Sequence, residues 1–168
     1  MPRLFGLLCI FGVLARSFGG EEARPVPSTG KEGVRVLVAY YSRTGNTEQM
    51  ARGVVEGIRR VPGVTAVLKA VHEVSKADLE AADGIILGSP TYFANVPGEM
   101  KTMLDDWNWK LKVDFTDKVG GAFATGGGQV GGQEHVVVSL LLFMLHNRMV
   151  VAGPRQVLLH RRPHRAAP

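Results

Sequence analysis

Five short apolar runs, separated by segments of helical period, constrain the fold of this 168-residue chain more than anything else in it. They are "VRVLVAY" (Val34–Tyr40), "VTAVLKAV" (Val64–Val71), "DGIILGSP" (Asp83–Pro90), "KVGGAFAT" (Lys118–Thr125) and "MVVAG" (Met149–Gly153). Nearly unbroken apolar and β-branched runs are the mark of strands covered on both faces. Between them, "TEQMARGVVEGIRR" places Met50, Val54 and Ile58 four apart, which is a helical stripe. "SKADLEAA" reads as a short helix with Ser75 and Asp78 as its start signal. "VPGEMKTMLDDW" puts Val96, Met100, Met103 and Trp107 on one helical face. "QEHVVVSLLLFMLHNR" carries a broad stripe of Val136, Leu140, Met144, Leu141 and Leu145. Strands alternating with helices throughout predict one α/β domain over residues 34–153, built on an open parallel sheet.

In such sheets ligands sit beyond the carboxyl ends of the strands. Three loops leave that edge: "SRTGNT" (Ser42–Thr47), "SPTYFAN" (Ser89–Asn95) and "GGGQVGG" (Gly126–Gly132). All three are rich in Gly, Ser, Thr or Asn. The first precedes a helix start, whose unpaired N–H groups and partial positive charge suit a phosphate. Ser42, Thr44 and Thr47 offer hydroxyls there, Asn46 an amide, and Gly45 a close backbone approach. Ser, Thr and Asn in that position serve equally as ordinary helix caps. The loop has no Gly-Lys-Ser/Thr and no acid to hold magnesium, so it suits one phosphate and not a triphosphate. Gly126 to Gly131 also fits Gly-x-Gly-x-x-Gly, but no acid lies at the spacing a dinucleotide fold requires. Asp105 and Asp106 are helix neighbours that point apart, a poor catalytic pair.

A strand followed by Ser-x-Thr-Gly-Asn-Thr and a helix resembles the phosphate loop of flavodoxins. "GSPTYFANVPGEMKTMLD" and "GGGQVGGQE" are similar to the flavin loops of the flavodoxin-like NAD(P)H:quinone oxidoreductases, the tryptophan-repressor-binding-protein group. Gly131, Gly132, Gln133 and Glu134 and then His146 extend the likeness, which runs from about Val34 to Gly153. The resemblance implies a flavodoxin-like doubly wound sheet of five parallel strands, ordered 2-1-3-4-5. It also implies FMN as cofactor, NAD(P)H as electron donor and a quinone or similar flat acceptor, with no nucleic-acid partner. Carried over by position, Ser42, Arg43, Thr44, Gly45, Asn46 and Thr47 would hold the phosphate. Pro90, Thr91, Tyr92, Phe93 and Asn95 would lie along one edge of the flavin ring. Thr125, Gly126, Gly127, Gly128, Gln129 and Val130 would lie along the other. His146 matches a family position close to the cofactor. The residues alone allow plainer roles: Tyr92, Phe93 and Trp107 as core aromatics, and His146 as a complement to a helix dipole. No protein acid, base or nucleophile is implied, because the flavin carries the chemistry. A flavodoxin-type electron carrier and an inactive remnant are the alternative functions. A carrier favours an acidic surface for steering.

Charge bears on that choice. Residues 33–153 carry twelve basic and twelve acidic side chains, which cancel. Most of the formal charge of +5 sits in residues 154–168, which hold four Arg and no acid. That segment reads as a disordered basic tail, so the charge does not describe a nucleic-acid-binding surface. The only cysteine, Cys9, excludes an intrachain disulfide and a Cys-x-x-Cys pair. Residues 1–20 open with Arg3, then twelve uncharged residues from Leu4 to Ala15, then small residues. This is the build of a secretory signal peptide, and residues 4–15 equally suit an arm that packs on the domain or associates with a membrane. Residues 21–33 read as a linker.

Two departures from the family pattern stand within the loops. Ala94 replaces a Gly, and Val130 stands where a His is common. A third is expected after the fifth strand, where "PRQVLLHRRPHRAAP" has no amphipathic helix of useful length. Without a last helix, several hundred Å² of the sheet face beside the first helix would stay open. At about 25 cal/mol per Å² that loss rivals the stability of a domain. The chain is thus expected to need FMN or self-association, as a homo-oligomer, for full stability.

Overall fold

The structure is a computed structural model and describes residues 33–128 and 131–153. The elements are β1 (Val34–Tyr40), α1 (Asn46–Arg59), β2 (Val64–Ala70), α2 (Lys76–Ala81), β3 (Gly84–Pro90), α3 (Gly98–Trp109), β4 (Val119–Thr125), α4 (Gln133–His146) and β5 (Val150–Val151). The strands form one sheet in the order β2-β1-β3-β4-β5, and every pair is parallel. The parallel sheet is the one expected of the alternating pattern, and its doubly wound order is the one the resemblance implies. The winding reverses at β1, so the carboxyl ends of β1 and β3 flank the switch point where ligands collect.

The sheet separates two cores. On one face, α1 packs Ala51 and Val55 against Val38, with Tyr40, Leu68, Ile86 and Phe123 around them. On the other, Leu37, Ala39, Ile85 and Leu87 meet Leu79, Met100, Leu104, Trp107, Val136, Leu140 and Met144 from α2, α3 and α4. Trp107 is fully buried beside Phe115, so it is a core residue, whereas Trp109 projects into solvent. Asp105 and Asp106 pair separately with Lys101 and Lys110, which confirms that they point apart.

Four local expectations are corrected. The inward face of α1 runs through Thr47, Ala51 and Val55, and Met50 is exposed. Thr47 is tied to Thr125 on β4, which turns the helix so that Met50 falls outside the packed face. On α4, only Val136, Leu140 and Met144 are buried, and Leu145 is exposed. A helix that is apolar all round does not reveal by its period which side faces inward. β2 stops at Ala70, because Val71–Glu73 closes into a 3-10 turn whose Glu73 carboxylate accepts the Ala70 N–H at 3.1 Å. β5 pairs with β4 through only two residues, so the fifth run is mostly not strand.

Ser75 caps α2 as its sequence announces: its hydroxyl accepts the Asp78 N–H, and the Asp78 carboxylate accepts the Ser75 N–H at 3.0 Å. A hollow of about 670 Å³ lies at the amino edge on the α1 face. It is lined by Val36, Gly84, Ile86 and Gly121 among others. The expected signal segment, the linker apart from Gly33, and the basic tail without a last helix lie outside the described residues. No helix among the described residues is long and apolar enough to cross a membrane.

Candidate functional site

The first loop leaves β1 through Tyr41, whose N–H bonds the Gly88 carbonyl at 3.0 Å. It then turns so that the Ser42 hydroxyl accepts the Gly45 N–H at 3.1 Å. Gly45 is the N-cap of α1 at φ +86°, a left-handed conformation that favours glycine, and no side chain caps the helix. The ordinary capping role therefore does not apply to Ser42, Thr44 or Asn46. The first helical bond runs from the Gln49 N–H to the Gly45 carbonyl, so the N–H groups of Asn46, Thr47 and Glu48 have no partner within the helix. Thr47 is buried and shares a 2.8 Å hydrogen bond with the Thr125 hydroxyl, which joins the first loop to the end of β4.

The β3 loop makes a tight turn in which the Tyr92 N–H bonds the Asn95 carbonyl at 2.9 Å and the Asn95 N–H bonds back at 3.0 Å. Its central residues, Phe93 and Ala94, sit at φ +50° and +60°. That is a type I′ geometry, usually given to Asn and Gly. The turn presses on Gly132, the N-cap of α4 at φ +89°: a methyl built there would lie 2.7 Å from both Cα and Cβ of Ala94. The β4 loop is braced by Gln133, whose amide donates to the Gly128 carbonyl at 2.5 Å and accepts the Gly131 N–H at 2.8 Å.

These loops enclose a hollow of about 320 Å³ lined by Arg43, Thr44, Asn46, Thr47, Pro90, Thr91, Tyr92, Thr125, Gly126 and Gly127. Its size is at the lower end of small-molecule sites. The Thr91 hydroxyl is buried there without a hydrogen-bond partner, although the Thr91 N–H is held by the Thr125 carbonyl at 2.8 Å. Buried polar groups are normally satisfied. An uncapped helix start beside small polar residues is what a ligand with a phosphate tail would complete.

The profile of the NADPH-dependent FMN reductase family matches residues 66–164. The NAD(P)H dehydrogenase (quinone) of Geobacter sulfurreducens is 35% identical over 146 residues and is covered, like this chain, to 71%. The chain belongs to the NADPH-dependent FMN reductase family. A flavodoxin of Aquifex aeolicus is 40% identical over 119 residues, 71% of this chain and 64% of that one. Among solved structures, an archaeal flavodoxin superposes with TM-score 0.64 at 25% identity, covering 72% of this chain and 80% of its own. A WrbA-like flavodoxin from Agrobacterium tumefaciens gives 0.60 at 25%, covering 75% and 87%.

In this FMN reductase family member the hollow gathers residues from all three anticipated loops. Ser42 and Gly45 shape the first loop without lining the hollow. Phe93 is fully exposed at the rim and Asn95 closes the turn beneath it; neither lines the hollow. Gly128 stands next to the lining, held by Gln133, and Gln129 and Val130 lie outside the described residues. His146 is a correction: it sits in a separate hollow with Asp114, Phe115, Thr116 and Arg148. That hollow lies at the amino edge, because the 14 residues of α4 carry the chain about 20 Å away from the carboxyl edge.

The family reading missed Gln133 as a strut and Tyr41 as a wall. Tyr41 stands edge-on to Tyr92, ring centres 6.4 Å apart, with the Glu99 carboxylate near its hydroxyl. Burial, and then that carboxylate, raise the Tyr41 pKa; Glu99 is lowered by its own backbone N–H and then by Tyr41. Tyr41, His72, Glu99 and Met103 line a second open hollow of about 580 Å³. Only the small polar residues of the loop distinguished the first hollow in the sequence, and the second has no comparable signal.

Proposed function

We propose that this chain is an FMN-dependent oxidoreductase that takes electrons from NAD(P)H and passes them to a quinone or similar flat acceptor. The observation that carries the reading is the joint hollow. Residues of an uncapped helix start, Thr91 and Gly126–Gly127 line one space. Thr44, Asn46, Thr47 and the first N–H groups of α1 would hold the phosphate; Thr91, Tyr92 and Thr125–Gly127 would flank the ring. Bound FMN supplies the exchange of a hydride from the nicotinamide for electrons to the acceptor. The protein's own contribution is to grip, orient and shield. Gln133 keeps the β4 loop in place, and the Tyr41–Tyr92 pair stiffens the opposite wall. The quinone dehydrogenase name of the Geobacter relative supports the substrate class.

The test is a visible spectrum of the purified protein during anaerobic addition of NADH or NADPH. A yellow protein that bleaches, and regains colour when a quinone is added, supports the reductase. Yellow without bleaching supports an electron carrier, the reading favoured by the Aquifex flavodoxin match. The balanced charge of residues 33–153 speaks against a carrier that relies on an acidic surface. A protein that stays colourless after reconstitution with FMN refutes both. Residues 1–20 would direct export or bring the enzyme to a membrane; terminal sequencing of the mature protein checks this, and an intact Met1 on soluble protein overturns it.

A further inference from the structure

The second hollow at the carboxyl edge has no part in the grip on a phosphate tail. It measures about 580 Å³, within the range of small-molecule sites, and lies where β1, β2 and α3 meet. Tyr41 enters it from the end of β1, Val71 and His72 from the turn after β2, and Glu99, Thr102 and Met103 from the first turns of α3. Val71 is buried and Met103 half-buried, so the floor is apolar. The Tyr41 ring adds an aromatic wall. Its other neighbour is Tyr92, which lines the first hollow, so the ring pair is a partition between the two spaces.

The charge of the hollow selects its guest. α3 starts after Pro97 without a side-chain cap, an arrangement that by itself suits an anion. Here Glu99 already supplies the negative charge. Its carboxylate takes its own backbone N–H and lies near the Tyr41 hydroxyl, and both hold its pKa below the ordinary value. Glu99 is therefore ionised at neutral pH, and it makes no ion pair within 4 Å among the described residues. Arg43, whose charge acts on Glu99 more weakly, lines the first hollow instead. A second anion would be repelled from this space. A neutral apolar guest would leave the carboxylate unpaired at its side. We propose that the second hollow is a binding site for a small planar aromatic cation, with its charged group on the Glu99 carboxylate and its ring against Tyr41 and Met103. A carboxylate strengthens hydrogen bonds from a cationic donor, and the face of a tyrosine attracts the same charge. The thioether of Met103 adapts to a flat ring laid on it. His72 and Thr102, both exposed, flank the mouth. The site is complete without a flavin.

The test is a set of amide NMR titrations of the full chain with three probes of nearly one shape: benzamidine, a planar cation; benzamide, its neutral counterpart; and benzoate, the anion. Benzamidine is expected to shift the His72, Glu99 and Thr102 amides with a dissociation constant on the order of 1 mM or below. Benzamide should bind about three- to tenfold more weakly, and benzoate should leave these amides in place up to about 10 mM. Butylamine, which has the charge but no ring, should also bind at least about threefold more weakly than benzamidine. Glu99→Gln, at an exposed position, should bring benzamidine down to the level of benzamide. Thr102→Arg, which sets a cation at the mouth, should weaken benzamidine about tenfold or more. The probe series on the wild type decides the matter even if a variant fails to fold. The proposal is overturned if benzoate or butylamine binds as tightly as benzamidine, if the shifts fall elsewhere, or if folded Glu99→Gln binds benzamidine as the wild type does. Loss of benzamidine binding on saturation with FMN would place the probe in the first hollow and overturn it too. A protein that takes up no FMN yet binds benzamidine in this pattern would refute the reductase reading and leave the second site standing.

Discussion

Gly132→Ala tests the close approach on which the site's shape rests. Two effects add. At φ +89° a Cβ is strained, at about 1–2 kcal/mol for a left-handed alanine. The new methyl would also lie 2.7 Å from Cα and Cβ of Ala94 and 3.2 Å from its carbonyl oxygen. Carbon atoms prefer about 3.5–4.0 Å, and overpacking of this sort costs about 1–3 kcal/mol. The total, about 2–5 kcal/mol, is a large share of the stability of a domain. Urea melts should show the midpoint falling by about 1–2 M, given the usual slopes. Ala94→Gly removes one of the two close carbons and relieves φ +60°, so alone it should be neutral or stabilise by up to about 1 kcal/mol. In the double variant the backbone carbon of residue 94 still crowds the new methyl, so only about 1 kcal/mol of the loss should return as coupling. Additivity within about 0.3 kcal/mol would refute the predicted crowding. So would a loss below about 0.5 kcal/mol for Gly132→Ala itself.

Asp78 is buried and held near pKa about 2, first by the Lys69 ammonium at 2.7 Å and then by the Ser75 hydroxyl and N–H. Its folded pKa is below the unfolded value, so it stabilises fully above about pH 5 and that stability is lost as pH falls from about 4 to 2. The contribution is about 2 kcal/mol, and urea midpoints of Asp78→Asn should lack this acid-limb loss. Thr47→Val and Thr125→Val should each cost about 1 kcal/mol, with the double variant little worse than either, because one hydrogen bond joins them. Independent, summed losses would argue against that bond. Phe93→Asn should raise the stability measured by urea melts by about 0.5–1 kcal/mol, since Asn tolerates the left-handed turn that Phe93 occupies at φ +50°. The same variant should quench FMN fluorescence less if the exposed ring of Phe93 covers the flavin.

What the sequence disclosed was governed by neighbours along the chain. β-branched runs announced the four long strands, and Ser75 with Asp78 announced α2, because each signal is complete within a few residues. The three site loops were visible because the parallel sheet sends them to one edge. Facing directions were harder. α4 is apolar on every side, so Leu145 reads as buried until the sheet picks Val136, Leu140 and Met144 instead. α1 is turned by a bond between Thr47 and Thr125, 78 positions apart, which no local period records. His146 lies close to a site motif in sequence, yet a helix of 14 residues carries it to the opposite edge. The turn at Phe93 and Ala94 lacks the Asn or Gly that would announce it, and Tyr41 meets Glu99 only after two strands and two helices have been laid down.

The Thr47–Thr125 bond crosses above β3, because β1 and β4 are not neighbours in the sheet. It works as a tie-beam over the strand whose exit supplies Thr91. The walls that receive the anionic tail are thus set by contacts within the protein before any guest arrives. A substitution at the end of the fourth strand would be felt at the far side, where the first helix begins.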